Sequence, residues 1–485
     1  MSMTACTHIA ISVALEDAGE ATRALALARA LREWCPANHE VKIQFISCGS
    51  RFEGMVEESG FLVVPCQPRV RGQSIAEDLQ WELPELVGSE AIARGLIEGQ
   101  LEALQGLKPK PDAVLHGMWP FASLAARMLH IPTICFLPLP LHPACVSGGL
   151  LCDLPDPIPG LTRLPRSVRK KIAGMGGFLM PRAPIFHQQR LGAAAAACGW
   201  HNRGALSLFD AVKADITLVT DLPAFYTSLP LPKNFTVTGP LFARNMDAAY
   251  SGRSSELDPD IVAALQSNGR PAILLTMASS GTSELLFEAI RGVVPSRGDV
   301  PSNSPASTKV DDWNVVILAS PAICRLEEAR AIAGDDPRVL VTDRFIPAPT
   351  ANALADVVVS HGGQGTVQTA MAAGTPIVGV GVMMEQQINL DHVMDAGAGI
   401  RIQRHAWRSS IIRQAVRSVL ADPSYKIRAE AFSESMRGID GSRIAAERMW
   451  EFLDKLPPGS PSRVSVAKER AIEWNTEMAE IPIKS

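Results

Sequence analysis

The stretch VVVSHGGQGTVQTAMAAGTPIVGVGVMMEQ, from Val357 to Gln386, decides the predicted fold. An apolar run, Val357–Ser360, is followed by a glycine-rich loop, a helical segment over Thr366–Ala373 and a second apolar run, Ile377–Val380. This order and spacing predict a parallel strand–helix–strand unit. In open α/β sheets, ligands bind beyond the carboxyl ends of the strands, so the polar residues that follow each run are candidates for a site.

The same alternation of short apolar runs and amphipathic helices continues along the chain, which predicts an α/β protein with two doubly wound halves. The predicted strands of the first half are His8–Leu15, Val41–Ser47, Phe61–Val64, Ala113–His116, Thr133–Leu137, Ile216–Val219 and Phe235–Val237. Those of the second half, besides the two above, are Ala272–Thr276, Val315–Leu318 and Val339–Val341.

The 485 residues are enough for two domains. We predict an N-terminal domain over residues 1–240, a linker over 241–258, a second domain over 259–440, and terminal helices with a polar tail over 441–485. The Gly- and Pro-rich segment Pro143–Pro159 is predicted to be a loop over a ligand.

Composition excludes several classes of protein. The net charge is −4, from 46 Lys and Arg against 50 Asp and Glu, which gives no basic field for nucleic acid. Nine scattered cysteines without a CxxC pair predict free thiols in a reducing cytosol. No histidine spacing indicates a metal site. We expect a cytoplasmic protein, because we find no signal-peptide pattern and no apolar run of the roughly 20 residues that a membrane helix needs.

The loop after the run that ends at Ser360 is predicted to bind phosphate. Glycines in the loop allow the backbone to approach a ligand, and the N-terminus of the next helix offers free N–H groups with a partial positive charge. His361 adds a possible donor. A second loop, Thr276–Thr282, has the same setting, and two such loops suggest a diphosphate.

The Glu385–Gln386 pair follows an apolar run at the same predicted rim. A carboxylate acceptor beside a carboxamide, which both donates and accepts, suits the hydroxyl groups of a sugar. A diphosphate and a sugar together indicate a nucleotide sugar.

The pattern HGGQGT, AAGTPIVGV and EQ, with Glu385 placed 24 positions after His361, resembles the signature box of family 1 glycosyltransferases of the GT-B fold. The family includes plant secondary-product enzymes and bacterial macrolide-type and fungal relatives. The resemblance is strong over residues 340–400 and weak over the first half. It implies two Rossmann-like domains facing across a cleft, with the last helices returning to the first domain.

The resemblance also implies an activity, namely inverting transfer of a hexosyl group from a nucleotide sugar to a hydroxyl of a lipophilic small molecule. The donor is expected to be a UDP-sugar, with GDP- and TDP-sugars left open, and no further cofactor is implied. Apolar residues around Trp119–Leu141 suggest a terpenoid, polyketide, sterol or phenolic acceptor. The segment Met118–Phe121 either packs in the core or lines an acceptor pocket.

Residue roles follow from the same resemblance. His361, the glycine loop and the first helical amides would hold the diphosphate together with two serines of the second loop, an aromatic residue would stack on the base, and the acid–amide pair would hold the sugar. The residues concerned are His361, Gly363, Gly365, Thr366, Ser279, Ser280, Phe345, Ile346, Glu385 and Gln386.

Two positions depart from the family pattern. Thr369 stands where the family usually has a glutamate that binds the ribose diol, and Ala348 follows Pro347 where plant enzymes have glutamine. These changes leave the identity of the nucleotide open.

The expected catalytic His-Asp dyad is absent. Glu20 occupies the histidine position, and the partner aspartate should fall near Gly117, beside His116. Three hypotheses remain: Glu20 is the general base, His116 is the base, or positioning and stabilisation of the departing diphosphate suffice. The alternative comes from another functional class: a diverged protein that binds or transforms a metabolite without sugar transfer.

Overall fold

The structure is a computed structural model. It describes residues 5–15, 18–37, 39–72, 74–82, 84–156, 161, 164–201, 205–241, 257–277, 281–295, 311–344 and 346–456. Most of the predicted linker and the tail after residue 456 lie outside these ranges, so the predictions for both remain predictions.

The first sheet is fully parallel, with the strand order β3-β2-β1-β4-β5-β6-β7. Its strands are β1 (Ala5–Ser12), β2 (His39–Ser47), β3 (Leu62–Pro65), β4 (Ala113–His116), β5 (Thr133–Leu137), β6 (Ile216–Val219) and β7 (Phe235–Val237). This is a doubly wound order, in which the chain first builds outward from β1 on one side and then on the other.

The helices of this first part of the chain are α1 (Ala18–Glu33), α2 (Glu53–Glu58), α3 (Ile75–Asp78), α4 (Glu90–Gly106), α5 (Pro120–Met128), α6 (Pro143–Cys145), α7 (Arg166–Gly174), α8 (Gly176–Leu179), α9 (Gln189–Ala197) and α10 (Leu208–Ala211). Predicted strand His8–Leu15 ends earlier than expected, at Ser12. Val13 to Leu15 are buried but leave the ladder, and Leu15 has a positive φ of 54°. An apolar run therefore continues into a buried loop.

The second sheet is also parallel, with the order β10-β9-β8-β11-β12-β13. Its strands are β8 (Ala272–Thr276), β9 (Asn314–Leu318), β10 (Val339–Thr342), β11 (Val357–Ser360), β12 (Ile377–Gly379) and β13 (Gly399–Arg401). The remaining helices are α11 (Pro259–Gln266), α12 (Ser283–Val293), α13 (Leu326–Ala333), α14 (Ala348–Leu354), α15 (Gln364–Ala372), α16 (Met384–Asp395), α17 (Ser409–Ala421), α18 (Ser424–Ser435) and α19 (Gly441–Asp454).

Packing divides the chain into two compact units. The first contains residues 1–150, 172–245 and 440–485, and the second contains residues 151–171 and 246–439. The outer limits lie close to the predicted domain boundaries. Residues 151–171, which the prediction placed in the N-terminal domain, belong to the second unit instead.

The first sheet is covered on both faces, which explains why its strands are apolar at nearly every position. Ile9 and Ile11 pack with α1 and α19, whereas Ala10 and Val114 pack with α4 and α5. Helix α19 completes the first core, where Met449 is fully buried and Trp450 Nε1 donates to the carbonyl oxygen of Leu31 at 3.3 Å.

Residues 151–171 are held in the second unit by a buried group of charges. Arg401 donates from Nε to Asp391 at 2.7 Å, from Nη1 to Asp156 at 2.8 Å and from Nη2 to Asp153 at 2.8 Å. We call these four residues the Arg401 cluster. Arg169 forms a second pair with Asp153 at 2.6 Å. Each carboxylate of the cluster is at most 4% exposed, so its charge depends on these partners.

The backbone of the same segment is bound to helix α16. Gln387 accepts from the N–H of Asp156 at 3.1 Å through Oε1, and its Nε2 donates to the carbonyl oxygen of Leu154 at 2.8 Å. The predicted loop Pro143–Pro159 is therefore two structures. Residues 143–150 form helical turns, Leu154 and Asp156 are bound to α16, and residues 157–159 lie outside the described residues.

Among the residues that the structure describes, no helix is long and apolar enough to cross a membrane.

We expect Arg401→Met to lower the free energy of unfolding by about 3 kcal/mol or more, because three buried carboxylates lose their common partner. Urea unfolding monitored by tryptophan fluorescence would measure the loss. Arg325→Met is the matched control, since Arg325 pairs with Glu328 on the surface with its side chain 80% exposed. Equal stability of the two variants would contradict the role given to the Arg401 cluster.

Candidate functional site

The strand order places two pairs of loops side by side. In each sheet the order reverses between the first and fourth strands, β1 and β4 in one and β8 and β11 in the other. Ser12 is in register with His116, and Ser360 is in register with Thr276. Loops that leave such a point diverge to opposite faces and open a crevice, which is where doubly wound folds bind ligands.

In the second unit, helix α15 begins at this crevice without a side-chain cap. Strand β11 ends at Ser360, and Gly363 is the N-cap residue of α15 with no side chain to satisfy the first N–H groups. A nine-residue helix that starts in this way presents its first N–H groups and a partial positive charge to an anion.

His361 lies over this helix start. Its side chain is buried, and a Cβ at position 363 would approach His361 Nε2 to 2.6 Å, so only glycine fits beneath the ring. Burial lowers the pKa of His361 to about 4, so the imidazole is neutral at physiological pH. Within the described residues, His361 Nδ1 is buried without a hydrogen-bond partner. An unmatched buried nitrogen beside an uncapped helix start indicates a ligand that the helix and the ring share.

The glycine loop is packed directly on α16. Gly362 has a φ of 79°, and a Cβ there would meet Leu390 at 2.6 Å and the carbonyl oxygen of Gln386 at 2.7 Å. Asn389 Nδ2 donates both to the carbonyl oxygen of Gly362 at 3.1 Å and to Glu385 Oε1 at 2.6 Å. Asn389 therefore connects the glycine loop to Glu385. The sequence prediction missed it, although its spacing of one helical turn from Glu385 was a usable signal.

The Glu385–Gln386 pair lies in the first turn of α16, and its two members are used differently. Gln386 is buried, and its Oε1 accepts from the N–H groups of Val382 at 3.0 Å and Met383 at 3.2 Å. Glu385 is only partly buried. Gln386 thus fixes the turn that presents Glu385, and the role of the pair in sugar binding stays a prediction.

Thr369 is engaged in contacts within the unit. Its hydroxyl donates to the carbonyl oxygen of Gly365 at 2.8 Å and accepts from Asn352 Nδ2 at 2.9 Å. Thr369 and Asn352 are both buried where α15 packs on α14. This position therefore holds two helices together in the present chain.

The second loop is only partly described. Ser279, Ser280 and Phe345 lie outside the described residues, so their predicted contacts stay predictions. The cap of α12 is Thr282, which accepts from the N–H of Leu285 at 3.4 Å. Ile346 is buried just before Pro347, the N-cap residue of α14.

In the first unit, Glu20 occupies the space at the end of β4. Glu20 lies in the first turn of α1 and is 7% exposed. A Cβ at Gly117 would lie 2.2 Å from Glu20 Oε1 and 3.1 Å from Phe136 Cζ. The carboxylate of Glu20 thus fills the place where a side chain at position 117 would stand. The acid expected at the end of the strand is supplied from the neighbouring helix.

His116 does not join Glu20. It is 0% exposed and its Nδ1 lies 2.9 Å from the carbonyl oxygen of Gly117. Burial, assisted by the charge of Arg127 and opposed by the hydrogen bond to Gly117, lowers the pKa of His116 to about 4. Residues alternate along a strand, so His116 shares the α4 and α5 face with Val114, opposite to α1. His116 thus lies on the opposite face of the sheet from α1, and its role as general base stays a prediction.

The aromatic segment near the end of β4 belongs to the core. Trp119 and Phe121 are 1% and 0% exposed, and their rings meet edge to face at 4.7 Å. Met118 is partly buried and packs with Leu141 against Cys135 and Leu137. Within the segment Met118–Phe121, Met118 is therefore the residue outside the closed core, and whether it lines an acceptor pocket stays a prediction.

The fold and these two crevices define the class. Two doubly wound parallel sheets, each with its crevice at the strand-order reversal, are the GT-B architecture that the sequence predicted. The solved glycotransferase of kitacinnamycin superposes with a TM-score of 0.60 at 20% identity, over 93% of this chain and 99% of that one. The calicheamicin glycosyltransferase CalG4 gives 0.57 at 17% identity with the same coverage. At such identities the likeness shows the fold.

Sequence relatives agree with this class. A profile described as the C-terminal domain of erythromycin biosynthesis protein CIII-like proteins matches residues 321–439. A PGL/p-HBAD biosynthesis glycosyltransferase of Mycobacterium tuberculosis is 27% identical over 221 residues, covering 46% of this chain and 44% of the relative. UDP-glycosyltransferase 2 of Phaeomoniella chlamydospora is 32% identical over 115 residues, 24% of this chain and 25% of the relative. The chain thus matches less than half the length of these relatives.

Together the profile, the relatives and the fold confirm the resemblance to family 1 glycosyltransferases.

The buried histidines predict acid sensitivity. Folding lowers the pKa of His116 from 6.5 to about 4, so the unfolded chain binds more protons between these values. The free energy of unfolding should therefore fall as the pH drops from 6.5 to 4. Above pH 6.5 the histidine is neutral in both states and causes no loss of stability. His116→Gln should reduce this slope by up to about 1.4 kcal/mol per pH unit. Denaturant titrations at several pH values would measure the slope. His405→Gln, at an exposed position, is the control, and an identical slope in both variants would contradict the assignment.

Proposed function

We propose that the chain is an inverting glycosyltransferase that moves a hexosyl group from a nucleotide sugar to a hydroxyl of a lipophilic small molecule. The observation that carries the proposal is the buried, neutral His361 with its unmatched Nδ1 over the uncapped start of α15. The relatives named as glycosyltransferases support the reaction class.

On this proposal the diphosphate lies at the start of α15, where backbone N–H groups and His361 stabilise the charge that develops as the sugar departs. Gly363 and Gly365 leave room for the phosphates, and the amide of Thr366 is a further donor. The proposed reaction needs no cofactor besides the nucleotide-sugar donor. A UDP-sugar remains the first candidate, with GDP- and TDP-sugars as alternatives.

The sugar hydroxyls would contact Glu385. Asn389 holds one carboxylate oxygen of Glu385 and also holds the glycine loop, so the same side chain aligns the contacts to sugar and to diphosphate. Gln386 supports this arrangement by fixing the preceding turn through the N–H groups of Val382 and Met383. Such support limits the geometries that the reacting groups can sample.

The general base in this proposal is Glu20. The acceptor oxygen attacks the anomeric carbon as the bond to the diphosphate breaks, and Glu20 takes the proton of the acceptor hydroxyl. One displacement inverts the configuration at that carbon. The support for Glu20 is its place at the crevice beside Gly117, where the chain has no other acid at the end of β4.

The alternative is a diverged protein that binds a nucleotide sugar or another metabolite without transfer. The observation in its favour is Thr369, whose hydroxyl is engaged with Gly365 and Asn352 where the family usually has an acid for ribose. A nucleotide sugar that binds and stays intact in the presence of lipophilic alcohols would favour this alternative.

Glu385→Ala should abolish sugar transfer while the affinity for the nucleoside diphosphate alone stays within a few-fold, because Glu385 is assigned only to the sugar. Release of nucleoside diphosphate would measure transfer, and thermal-shift titrations would measure the affinities for UDP, GDP, TDP and their sugars. A ligand at a hundredfold excess over its dissociation constant adds roughly 2.7 kcal/mol of stability. Equal loss of diphosphate binding would show that Glu385 supports the loop instead, and Glu385→Gln is the control that keeps the side-chain volume.

Glu20→Gln should lower turnover by roughly 10²-fold or more without weakening donor binding, because the amide cannot take the proton. Gly117→Ala should lower turnover as well, since its methyl group would displace the Glu20 carboxylate from 2.2 Å away. Initial rates with saturating donor would measure both effects. An unchanged rate in Glu20→Gln would remove Glu20 from the mechanism.

A further inference from the structure

Two buried cysteines lie side by side in the first unit, away from the residues used above. Ser47 of β2 is in register with Pro65 of β3, so Cys48 and Cys66 are the next residues of two neighbouring parallel strands. The N–H of Cys66 donates to the carbonyl oxygen of Ser47 at 2.8 Å, which continues the pairing. Adjacent strands lie about 4.8 Å apart, within the range of Cα separations that a disulfide spans.

The two thiols share one partner. Gln100 of α4 is 0% exposed, and its Nε2 lies 3.5 Å from the sulfur atoms of both Cys48 and Cys66. Both cysteines pack in the same core cluster as α4, so their side chains leave the same face of the sheet. The pair is therefore already aligned, and a bond between the two sulfur atoms needs no change of strand register.

The surroundings distinguish the two thiols chemically. A hydrogen bond from Cys66 lowers the pKa of Cys48 against the effect of burial, and Gln100 and the positive charge of Arg69 add to the lowering. The same contact with Cys48, together with burial, raises the pKa of Cys66. Cys48 is thus the better nucleophile, and Cys66 is the thiol that keeps its proton.

A cavity lies beside the Cys66 member of the pair. A cavity of about 460 Å³ adjoins Cys66 and is also lined by Gln44, Gln67, Gly99, Glu102 and Lys108. Both cysteines are at most 3% exposed, so access through this cavity favours a small oxidant over a protein partner.

We propose that Cys48 and Cys66 form a reversible dithiol–disulfide site that responds to hydrogen peroxide or a similar small peroxide. The Cys48 thiolate attacks one peroxide oxygen, the O–O bond breaks, and a sulfenic acid forms as hydroxide leaves and takes a proton to become water. The Cys66 sulfur then attacks the Cys48 sulfur, and a second water leaves with the Cys66 proton. Two thiols and one peroxide thus give one disulfide and two waters, and an external dithiol reverses the step.

The oxidation state is linked to the loop between β1 and α1, the helix whose first turn contains Glu20. Gln100 Oε1 accepts from Ser12 Oγ at 2.7 Å, and Ser12 is the last residue of β1 before that loop. The disulfide changes the two sulfur atoms that Gln100 contacts and so disturbs its hydrogen bond to Ser12. This linkage rests on the proposed function, whereas the disulfide itself does not.

Peptide mapping tests the site. The reduced protein is treated with hydrogen peroxide, alkylated and digested with trypsin. We expect peptide 43–51 linked to peptide 52–69 through Cys48 and Cys66, with recovery of both thiols after dithiothreitol. Cys48→Ala and Cys66→Ala should lose the linked species, whereas Cys198→Ala, at a partly buried thiol of the same unit, should keep it. Alkylation of both cysteines after oxidation of the wild-type protein would overturn the proposal, and this readout stands even if a variant fails to fold.

Rate measurements test the linkage to Glu20. Oxidised wild-type protein should lose transfer activity several-fold and regain it with dithiothreitol, while Cys48→Ala, which lacks the thiol that peroxide attacks, should respond to neither reagent. Full cross-linking with an unchanged rate would overturn the linkage through Gln100. An absence of transfer activity in the reduced protein would instead count against the proposed function, and the mapping result would still decide the disulfide.

Discussion

The reversal of strand order in each sheet is the constraint from which the rest of the structure follows. A parallel sheet that grows from β1 or β8 first to one side and then to the other must send the loops after its two central strands to opposite faces. The position of Glu20 beside Gly117 depends on this divergence, and so does that of His361 over the start of α15. Glu20 and Gly117, which are 117 − 20 = 97 positions apart in sequence, meet because the ladder fixes which strands are neighbours.

Much of this could be predicted from the sequence, for physical reasons. The strands Val357–Ser360 and Ala113–His116 were predicted with correct bounds, because a strand buried on both faces is continuously apolar. The glycines around His361 were informative because backbone geometry demands them, as the 2.6 Å approach at position 363 shows. The prediction of His8–Leu15 as a strand was wrong at its end, since a buried loop and a buried strand have the same apolar composition.

Other features depend on side-chain directions and distant partners that no local pattern encodes. Gln386 was predicted from its residue type alone, which could not show that its oxygen accepts from two backbone N–H groups at the start of its own helix. His116 lies on the face of the sheet that packs against α4 and α5, opposite to α1, which carries Glu20. Thr369 was recognised as a departure from the family pattern, but its pairing with Asn352 could be seen only once α14 and α15 were packed together. A substitution in one helix is thus explained by the neighbouring helix.

The Arg401 cluster has a consequence for how such a protein can be recombined. Arg401 binds Asp153 and Asp156 across about 250 residues of sequence, so the second unit is assembled from two separate stretches of the chain. A hybrid gene joined only between residues 241 and 258 would combine Arg401 of one parent with the segment 151–171 of another. In such hybrids the buried arginine and the buried carboxylates would come from different parents, and their ion pairs would form only if both parents carry the same residues. An exchange of the second unit between relatives therefore needs four junctions in the gene, so that residues 151–171 travel with the unit that binds them and α19 stays with the first unit.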